Sequence, residues 1–322
     1  MTHKTKHFEF NHLNKEELQL FISKREGETK LGQQLTDLPQ AKYVIIGVEE
    51  SVGPRANKGR GGAEKGFKAF LSSFLNMQSN ESLIGNHIHV LGSVSTHTEA
   101  GFDGNLNQMV EELDSFLLRI LHEFINQNQI PIVIGGGHNN AYPLMKFSYE
   151  RYQQQIQVVN FDAHADYRRL EGRHSGNPFS YAFKDGYLKK YFVLGLHQRF
   201  NSQQIIDDLR RDGHYFTFYE SYIFGEHNYL DDFQTLRDTL TRTKDYTGVE
   251  LDMDTIERMP SSAFSPAGIS VDIARLYISQ VAKKKNIAYL HLPEGAPTNE
   301  LEERIVGKTL AYLVSDFIVS HG

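Results

Sequence analysis

The chain of 322 residues carries 40 Asp and Glu against 34 Lys and Arg, and this formal net charge of −6 argues against nucleic acid as its main partner. Its apolar fraction of 39% excludes a disordered chain, and no apolar run reaches the roughly 18–20 residues that cross a bilayer. The absence of cysteine excludes disulfides, cysteine-ligated metal and a cysteine nucleophile, so any bound metal must be held by histidine and carboxylate side chains.

Short apolar runs alternate with longer helical patterns along the chain. Their content of β-branched and aromatic residues predicts strands at 43–48, 87–91, 130–134, 156–161, 191–195, 214–218, 249–252 and 287–292. The clearest helix spans about 105–127, where apolar residues recur at i, i+3 and i+4. Further helices are predicted near 63–76, 140–153, 202–211, 229–243, 270–284 and 299–319. The alternation predicts an α/β fold with a mostly parallel sheet that helices cover on both faces.

We expect one domain over 1–322, because no linker rich in Pro, Gly or Ser and no long charge run divides the chain. About 1–40 is expected to form an N-terminal extension packed on that domain. The polar N-terminal residues do not have the apolar core of a secretory signal. These features predict a cytoplasmic protein with no membrane partner.

Two of the predicted strands are followed by residues that could form a site. In parallel α/β sheets, ligands bind beyond the carboxyl ends of the strands. After the strand at 130–134, three glycines permit a tight turn that presents His138, although such a loop is also typical of an ordinary turn. After the next strand, Asp162, His164 and Asp166 follow at i, i+2 and i+4, which places all three side chains on one side of an extended segment. Two carboxylates held this close repel each other unless a positive charge lies between them.

A third strand end, near 251, adds Asp252 and Asp254 in the same alternating pattern. Taken alone, this pair could equally cap a helix. Taken with the other two strand ends, it completes a set of four Asp and two His, which suits Mn²⁺, Fe²⁺ or Zn²⁺. The four negative charges match two divalent cations, and such ions lower the pKa of a shared water from 15.7 toward about 7. The chemistry predicted is hydrolysis at an electrophilic carbon or phosphorus.

The order and spacing of these motifs resemble those of the arginase, agmatinase and formiminoglutamase family, the ureohydrolases, from roughly residue 40 onward. The resemblance implies a three-layer α/β/α domain around a mostly parallel sheet of about eight strands. It also implies two Mn²⁺ ions with a bridging hydroxide and the hydrolysis of guanidino or formimino groups. One ion would be held by His138, Asp162, Asp166 and Asp252, and the other by Asp162, His164, Asp252 and Asp254, with Asp162 and Asp252 shared.

The same resemblance implies three catalytic residues. Asp166 would relay a proton, and Glu294, which follows the last predicted strand, would pair with the cationic amidine or guanidinium of the substrate. Arginases carry a His-Gly-x-Pro stretch whose histidine assists proton transfer. Here Ser175 begins the matching stretch and His174 lies one position earlier, so His174 would have to reach the site differently. The glycine loop and the stretch 171–179 are most similar to the formiminoglutamase branch.

Four residues are candidates for substrate binding. Arg168 matches an arginine of that branch, and a guanidinium suits a bidentate contact with a carboxylate, although a surface ion pair is an equal alternative. Arg55 and Asn57 lie in a glycine-rich loop that resembles the substrate-side loop of the family. Asn201 lies where the family contacts the amino acid end of its substrate. The family's assemblies lead us to expect a homo-oligomer.

We therefore expect a binuclear manganese hydrolase of a small-molecule amidine, most similar in function to formimidoylglutamases, which convert N-formimino-L-glutamate and water to glutamate and formamide in histidine catabolism. Three alternatives stay open on the sequence. The chain could hydrolyse arginine, agmatine or another guanidino compound. It could be a non-catalytic protein of the same fold that metal stabilises. The ligand chemistry alone would also fit a two-metal phosphoesterase.

Overall fold

The computed structural model describes residues 3–97 and 104–322. Within them nine strands form one sheet: β1 (Phe8–His12), β2 (Tyr43–Glu49), β3 (Ile88–Thr96), β4 (Ile130–Ile134), β5 (Ile156–Phe161), β6 (Leu188–Leu196), β7 (Tyr215–Phe218), β8 (Thr247–Leu251) and β9 (Ile287–Leu292). The order across the sheet is β1-β3-β2-β4-β9-β8-β5-β6-β7. Every neighbouring pair is parallel except β1 and β3, which are antiparallel.

Eleven α-helices accompany these strands in the described part of the chain: α1 (Lys15–Gln19), α2 (Val52–Ala56), α3 (Gly66–Phe74), α4 (Leu106–Phe124), α5 (Ala141–Tyr152), α6 (Pro178–Lys184), α7 (Gln203–Arg211), α8 (Tyr219–Ile223), α9 (Tyr229–Thr241), α10 (Val271–Val281) and α11 (Glu300–His321). None of these described helices is long and apolar enough to cross a membrane.

Two separate apolar cores lie on the two faces of the sheet. One is formed with α3, α9, α10 and α11 and includes Phe70, Tyr277 and Leu313. The other is formed with α4, α5, α6 and α7 and includes Leu117 and Phe147. The central strands are buried along their whole length because both faces are covered, which explains their nearly continuous apolar sequences. The predicted three-layer α/β/α architecture is confirmed.

All eight predicted strands are present, with ends shifted by a few residues. The ninth strand, β1, was not predicted, and it lies in the segment that we treated as an N-terminal extension. It pairs with the outer edge of β3, in the register Phe8↔Thr96 to His12↔Gly92. The sheet therefore begins within that segment and has one more strand than the family resemblance implies.

The strand order gathers the chemically important chain segments. β2, β4, β9, β8 and β5 are consecutive in the sheet and run parallel. Their carboxyl ends therefore meet along one edge, although the residues that follow them are far apart in the chain. The glycine loop, Asp162 and Asp252 all follow strands of this group, and so does Glu294.

Candidate metal centre

Asp162 and Asp252 occupy equivalent turns at the ends of two adjacent strands. Phe161 of β5 and Leu251 of β8 are partners in the sheet register, so the two aspartates lie side by side. The Oδ1 of Asp162 accepts a hydrogen bond from the backbone N–H two residues later at 2.7 Å, and the Oδ1 of Asp252 does the same at 2.8 Å. These Asx turns use one carboxylate oxygen of each residue and leave Oδ2 directed toward His138.

His138 is fully buried, and its Nδ1 faces a ring of carboxylates. The Nδ1 atom lies 2.9 Å from Oδ2 of Asp166 and 3.0 Å from Oδ2 of Asp252. Oδ2 of Asp162 is 3.3 Å from the same nitrogen. One donor atom from each of the four residues lies within 4.8 Å of the others, so this cluster could hold one ion.

A second cluster shares Asp162 with the first. Nδ1 of His164 lies 3.1 Å from Oδ2 of Asp254 and 3.8 Å from Oδ1 of Asp162. The donor atoms of these three residues also lie within 4.8 Å of one another. The second predicted ligand set contained Asp252 as well, but among the described residues that compact group holds only Asp162, His164 and Asp254. The geometry thus places Asp162 between the two clusters and assigns Asp252 to the first.

Asp166 and Glu294 hold backbone conformations that side chains rarely adopt. Their φ angles are +45° and +68°, in the left-handed region, where most residues are strained. The Oε1 of Glu294 accepts a hydrogen bond from the backbone N–H of His138 at 2.9 Å, and the hydroxyl of Ser262 donates to its Oε2. Burial, together with the charges of Asp254 and Asp166, raises the pKa of Glu294 to about 8.

The electrostatics of the cluster favour added positive charge. Burial and then the charges of Asp254 and Asp162 raise the pKa of Asp252 well above its usual value. Burial and the charge of Asp162 raise the pKa of Asp166 in the same way. Burial by itself would lower the pKa of His138, but its contacts with the carboxylates raise it well above the usual value. These raised pKa values mean that bound protons compensate the negative charge of the clustered carboxylates. A metal cation would compensate the same charge in place of the protons.

The donor set fits two divalent metal ions. Carboxylate oxygen and imidazole nitrogen are ligands that suit Mn²⁺, and no soft sulfur ligand is present. The Oδ1 atom of Asp254 is buried and has no hydrogen-bond partner among the described residues. Such an atom is costly to bury unless it is paired, and a metal ion would satisfy it.

Glu50, which the sequence analysis did not single out, supports the glycine loop. This fully buried carboxylate follows β2. Its Oε1 accepts from the N–H of Gly137 and from the amide of Asn140, both at 2.8 Å, and its Oε2 accepts from Val52 N–H at 2.5 Å. Gly136, at φ +67°, packs so close that a Cβ would lie 3.0 Å from the Glu50 carboxylate. The sequence contains one indication of this role, because Glu50 is an acidic residue directly after an apolar strand.

A cavity of about 210 Å³ opens above the two clusters. His164, Asp166, Asp252, Asp254 and Glu294 line it. The rest of its wall comes from loops, and includes the predicted residues Asn57, Arg168 and Asn201 together with Lys58, Ser175, Phe200 and Ser262.

Two exposed cations line the wall of this cavity. Arg168 and Lys58 are both solvent-exposed, and neither forms an ion pair with a described residue. The backbone of Lys58 is in the left-handed conformation, at φ +64°. Its loop is fastened across the cavity because the guanidinium of Arg60 donates to the carbonyl of Ser261 at 2.8 Å. Lys58 was missed because the sequence does not show which side chain of that basic loop faces the cavity.

Two of the predicted substrate-binding residues, Arg55 and Asn201, differ in their position relative to the cavity. Arg55 is exposed and is not among the described residues that line the cavity. Asn201 lines the cavity, but its amide oxygen accepts from Ala165 N–H at 2.8 Å, and its amide nitrogen donates to the carbonyls of Ala163 and His197. The side chain of Asn201 therefore holds the backbone between the ligands, and its contact with substrate stays a prediction.

His174 is likewise absent from the described cavity wall, where its neighbour Ser175 is present. The His174 ring is buried, its Nδ1 accepts from Gly176 N–H at 3.1 Å, and its Nε2 lies 3.4 Å from Glu171. In this structure the ring turns toward its own loop, and the catalytic role of His174 stays a prediction.

Comparison with known proteins agrees with this geometry. Residues 41–319 match the family model described as the arginase family. This chain belongs to the arginase family. A formimidoylglutamase from Chromobacterium violaceum is 29% identical over 269 residues, which cover 80% of this chain and 81% of that protein.

Solved structures of the family share the fold. The formimidoylglutamase of Bacillus subtilis superposes with a TM-score of 0.77 at 18% identity, covering 92% of this chain and 93% of that one. A Trypanosoma cruzi formiminoglutamase crystallised with Mn²⁺ gives a TM-score of 0.72 at 21% identity, covering 91% of this chain and 98% of that one.

Proposed function

We propose that this protein is a formimidoylglutamase that uses two Mn²⁺ ions. The observation that carries the proposal is the pair of carboxylate and imidazole clusters that share Asp162 beneath a cavity with two exposed cations. The similarity to formimidoylglutamases over most of the chain supports the choice of substrate within the arginase family.

The metal ions would occupy the two clusters. His138, Asp162, Asp166 and Asp252 would hold one ion, and Asp162, His164 and Asp254 the other. When bound, two Mn²⁺ ions supply Lewis acidity that makes a water molecule nucleophilic near neutral pH. Asp252 stays a candidate for a second shared ligand, as the family resemblance implies.

The cavity wall matches the charges of N-formimino-L-glutamate, which has one cationic formimino group and two carboxylates. Glu294, a buried carboxylate that lines the cavity, would accept hydrogen bonds from the formimino nitrogens and hold the carbon above the clusters. Arg168 and Lys58 would each bind one carboxylate, because an exposed cation without an ion pair is free to contact an incoming anion.

Asp166 would move the proton. Its carboxylate belongs to the first cluster and also lines the cavity, so it lies next to both the ion site and the substrate space. Water adds to the formimino carbon, Asp166 takes the released proton and passes it to the glutamate nitrogen, and the C–N bond breaks to give formamide and glutamate. Arginine and guanidinobutyrate have one carboxylate and agmatine has none, so at least one of the two cation contacts would be lost with them.

The substrate panel tests the proposal. Manganese-loaded protein is assayed for kcat/KM with N-formimino-L-glutamate, arginine, agmatine and guanidinobutyrate, with chelator-treated protein as the control. We expect the highest kcat/KM with N-formimino-L-glutamate. Preferred turnover of arginine or agmatine would assign the chain to another activity of the family, and bound Mn²⁺ with no turnover of any substrate would favour a non-catalytic protein.

A further inference from the structure

The imidazole of His138 has a second group of partners on the side away from the carboxylate ring. Its Nε2 atom lies 3.5 Å from Oε2 of Glu250, and Nδ1 of His291 lies 2.6 Å from the same oxygen. All three side chains are fully buried. Glu250 of β8 and His291 of β9 are partners in the sheet register, so the two strands deliver the carboxylate and the second imidazole to one point.

Three buried polar atoms in this group lack a hydrogen-bond partner among the described residues. They are Nε2 of His138, Oε1 of Glu250 and Nε2 of His291. Buried polar atoms without partners are rare because burial removes the hydrogen bonds that such atoms would form with water. Oε2 of Glu250 is close enough to Nε2 of His138 to accept its N–H after a shift of a few tenths of an ångström.

The two nitrogens of His138 therefore have different roles, one as a hydrogen-bond donor and the other as a metal ligand. A neutral imidazole carries one N–H and one lone pair. If the N–H is on Nε2 and points to Glu250, the lone pair is on Nδ1 and points to Asp166 and Asp252. The opposite tautomer would place a proton where a metal ion has to bind.

We propose that Glu250, held by His291, is a positioning residue that fixes the tautomer and the ring orientation of His138 for metal binding. This inference rests on the proposed function only in assuming that the His138 cluster holds an ion. Metal-ligating histidines commonly donate their other N–H to a carboxylate, and loss of such a partner weakens metal affinity by about 10–100-fold.

His138, Glu250 and His291 could instead be read as a third metal site, since their donor atoms also lie within 4.8 Å of one another. The contacts favour a relay of hydrogen bonds. The 2.6 Å separation of Glu250 from His291 is that of a strong direct hydrogen bond, with no room for an ion between the two atoms. A lone ion there would also compete with the first cluster for His138.

The test is a titration of metal-free protein with Mn²⁺, followed by electron paramagnetic resonance and metal analysis. Glu250→Gln presents an amide whose N–H₂ group can donate to Nε2 of His138 and so favour the wrong tautomer. We expect the affinity for one of the two ions to fall about 10–100-fold and the other to stay within a few-fold of the wild-type value. The spectrum should change from that of coupled ions to that of a single ion, and excess Mn²⁺ should restore it. His291→Asn removes the hydrogen-bond partner of Glu250, so this variant should weaken the binding of the same ion.

Tyr277→Phe is the matched control. The Tyr277 hydroxyl donates to the backbone carbonyl of Glu250 at 3.0 Å and does not touch the carboxylate. This variant should bind two ions with wild-type affinities. Wild-type affinities in Glu250→Gln, an equal loss of both ions, or a third ion lost in that variant would each overturn the inference. A wild-type protein that binds no Mn²⁺ would instead refute the proposed metal centre, and the inference with it.

Discussion

Asp162 and Asp252 have the same local turn but different positions relative to the two clusters. Both use Oδ1 to accept a backbone N–H, yet only Asp162 contributes a donor atom to both compact groups. At the scale of single residues, this difference separates the ligands whose loss should affect both ions from those whose loss should affect one.

We predict that Asp162→Asn lowers the manganese content from two ions per chain to less than one and abolishes most of the activity, because a neutral amide replaces a ligand common to both clusters. Asp254→Asn should retain one ion, since Asp254 lies in the second cluster alone. Metal analysis after dialysis measures both contents. Two ions retained in Asp162→Asn would contradict the shared position.

The cations on the cavity wall give a second prediction. Lys58→Met and Arg168→Met should each raise the KM for N-formimino-L-glutamate by about 10–100-fold, as expected for a lost charge-assisted hydrogen bond of about 1.5–3 kcal/mol. The kcat should change less, because neither residue lies at the reacting carbon. Arg169→Met is the control, since Arg169 is also exposed but is not among the described residues that line the cavity. An unchanged KM in Lys58→Met would remove that residue from substrate recognition.

His214 couples stability to pH through hydrogen bonds in the protein interior. Its Nδ1 accepts from Tyr191 N–H at 3.3 Å, so its Nε2 donates to the hydroxyl of Tyr167 at 3.1 Å. Burial lowers the pKa of His214 from 6.5 to about 4. Because the folded pKa lies below the unfolded one, this residue stabilises the fold above pH 6.5 and the contribution is lost as the pH falls toward 4.

Between pH 7 and pH 4, the free energy of unfolding should fall by about 3 kcal/mol more in the wild type than in His214→Asn. Urea denaturation of both proteins at the two pH values measures this difference, and the other titrating groups cancel because both proteins contain them. Equal losses in the two proteins would show that His214 is not responsible.

At the scale of elements, the strands were predictable where both of their faces are buried. β4, β5 and β9 are covered on each side, so their sequences are nearly continuous apolar runs bounded by turn residues. β1 was missed because only Phe8 and Phe10 of its five residues are buried, and its pairing depends on the edge of β3, more than 75 residues away in the chain. The order of the strands was not predictable either, since it is set by contacts between distant segments.

The position of β1 predicts a large effect of a single change near the N-terminus. Phe8 is fully buried and its ring stacks on Phe116 of α4 at 6.5 Å. Phe8→Ala should lower the free energy of unfolding by about 3–5 kcal/mol. Phe224→Ala removes a phenylalanine that is 72% exposed and should change it little. Urea denaturation distinguishes the two, and equal stability of Phe8→Ala and the wild type would show that the segment is not part of the folded sheet.

At the scale of the whole molecule, the candidate centre lies where five parallel strands end between two apolar cores. The metal-ligating candidates were predictable because each follows its strand by one to five residues, so the strand itself places them. Lys58 and Ser262 were not, because the cavity wall is closed by loops whose meeting depends on the entire fold. Glu250 and His291 lie inside strands, and the sequence pattern alone does not distinguish them from ordinary strand residues.

The most direct test of the account is a titration of metal-free wild-type protein with Mn²⁺ while formamide release from N-formimino-L-glutamate is recorded. Two clusters that share Asp162 predict that hydrolysis follows the filling of the second ion and reaches its maximum at two Mn²⁺ per chain. Full activity without metal, a maximum at one ion, or two bound ions without hydrolysis would contradict it.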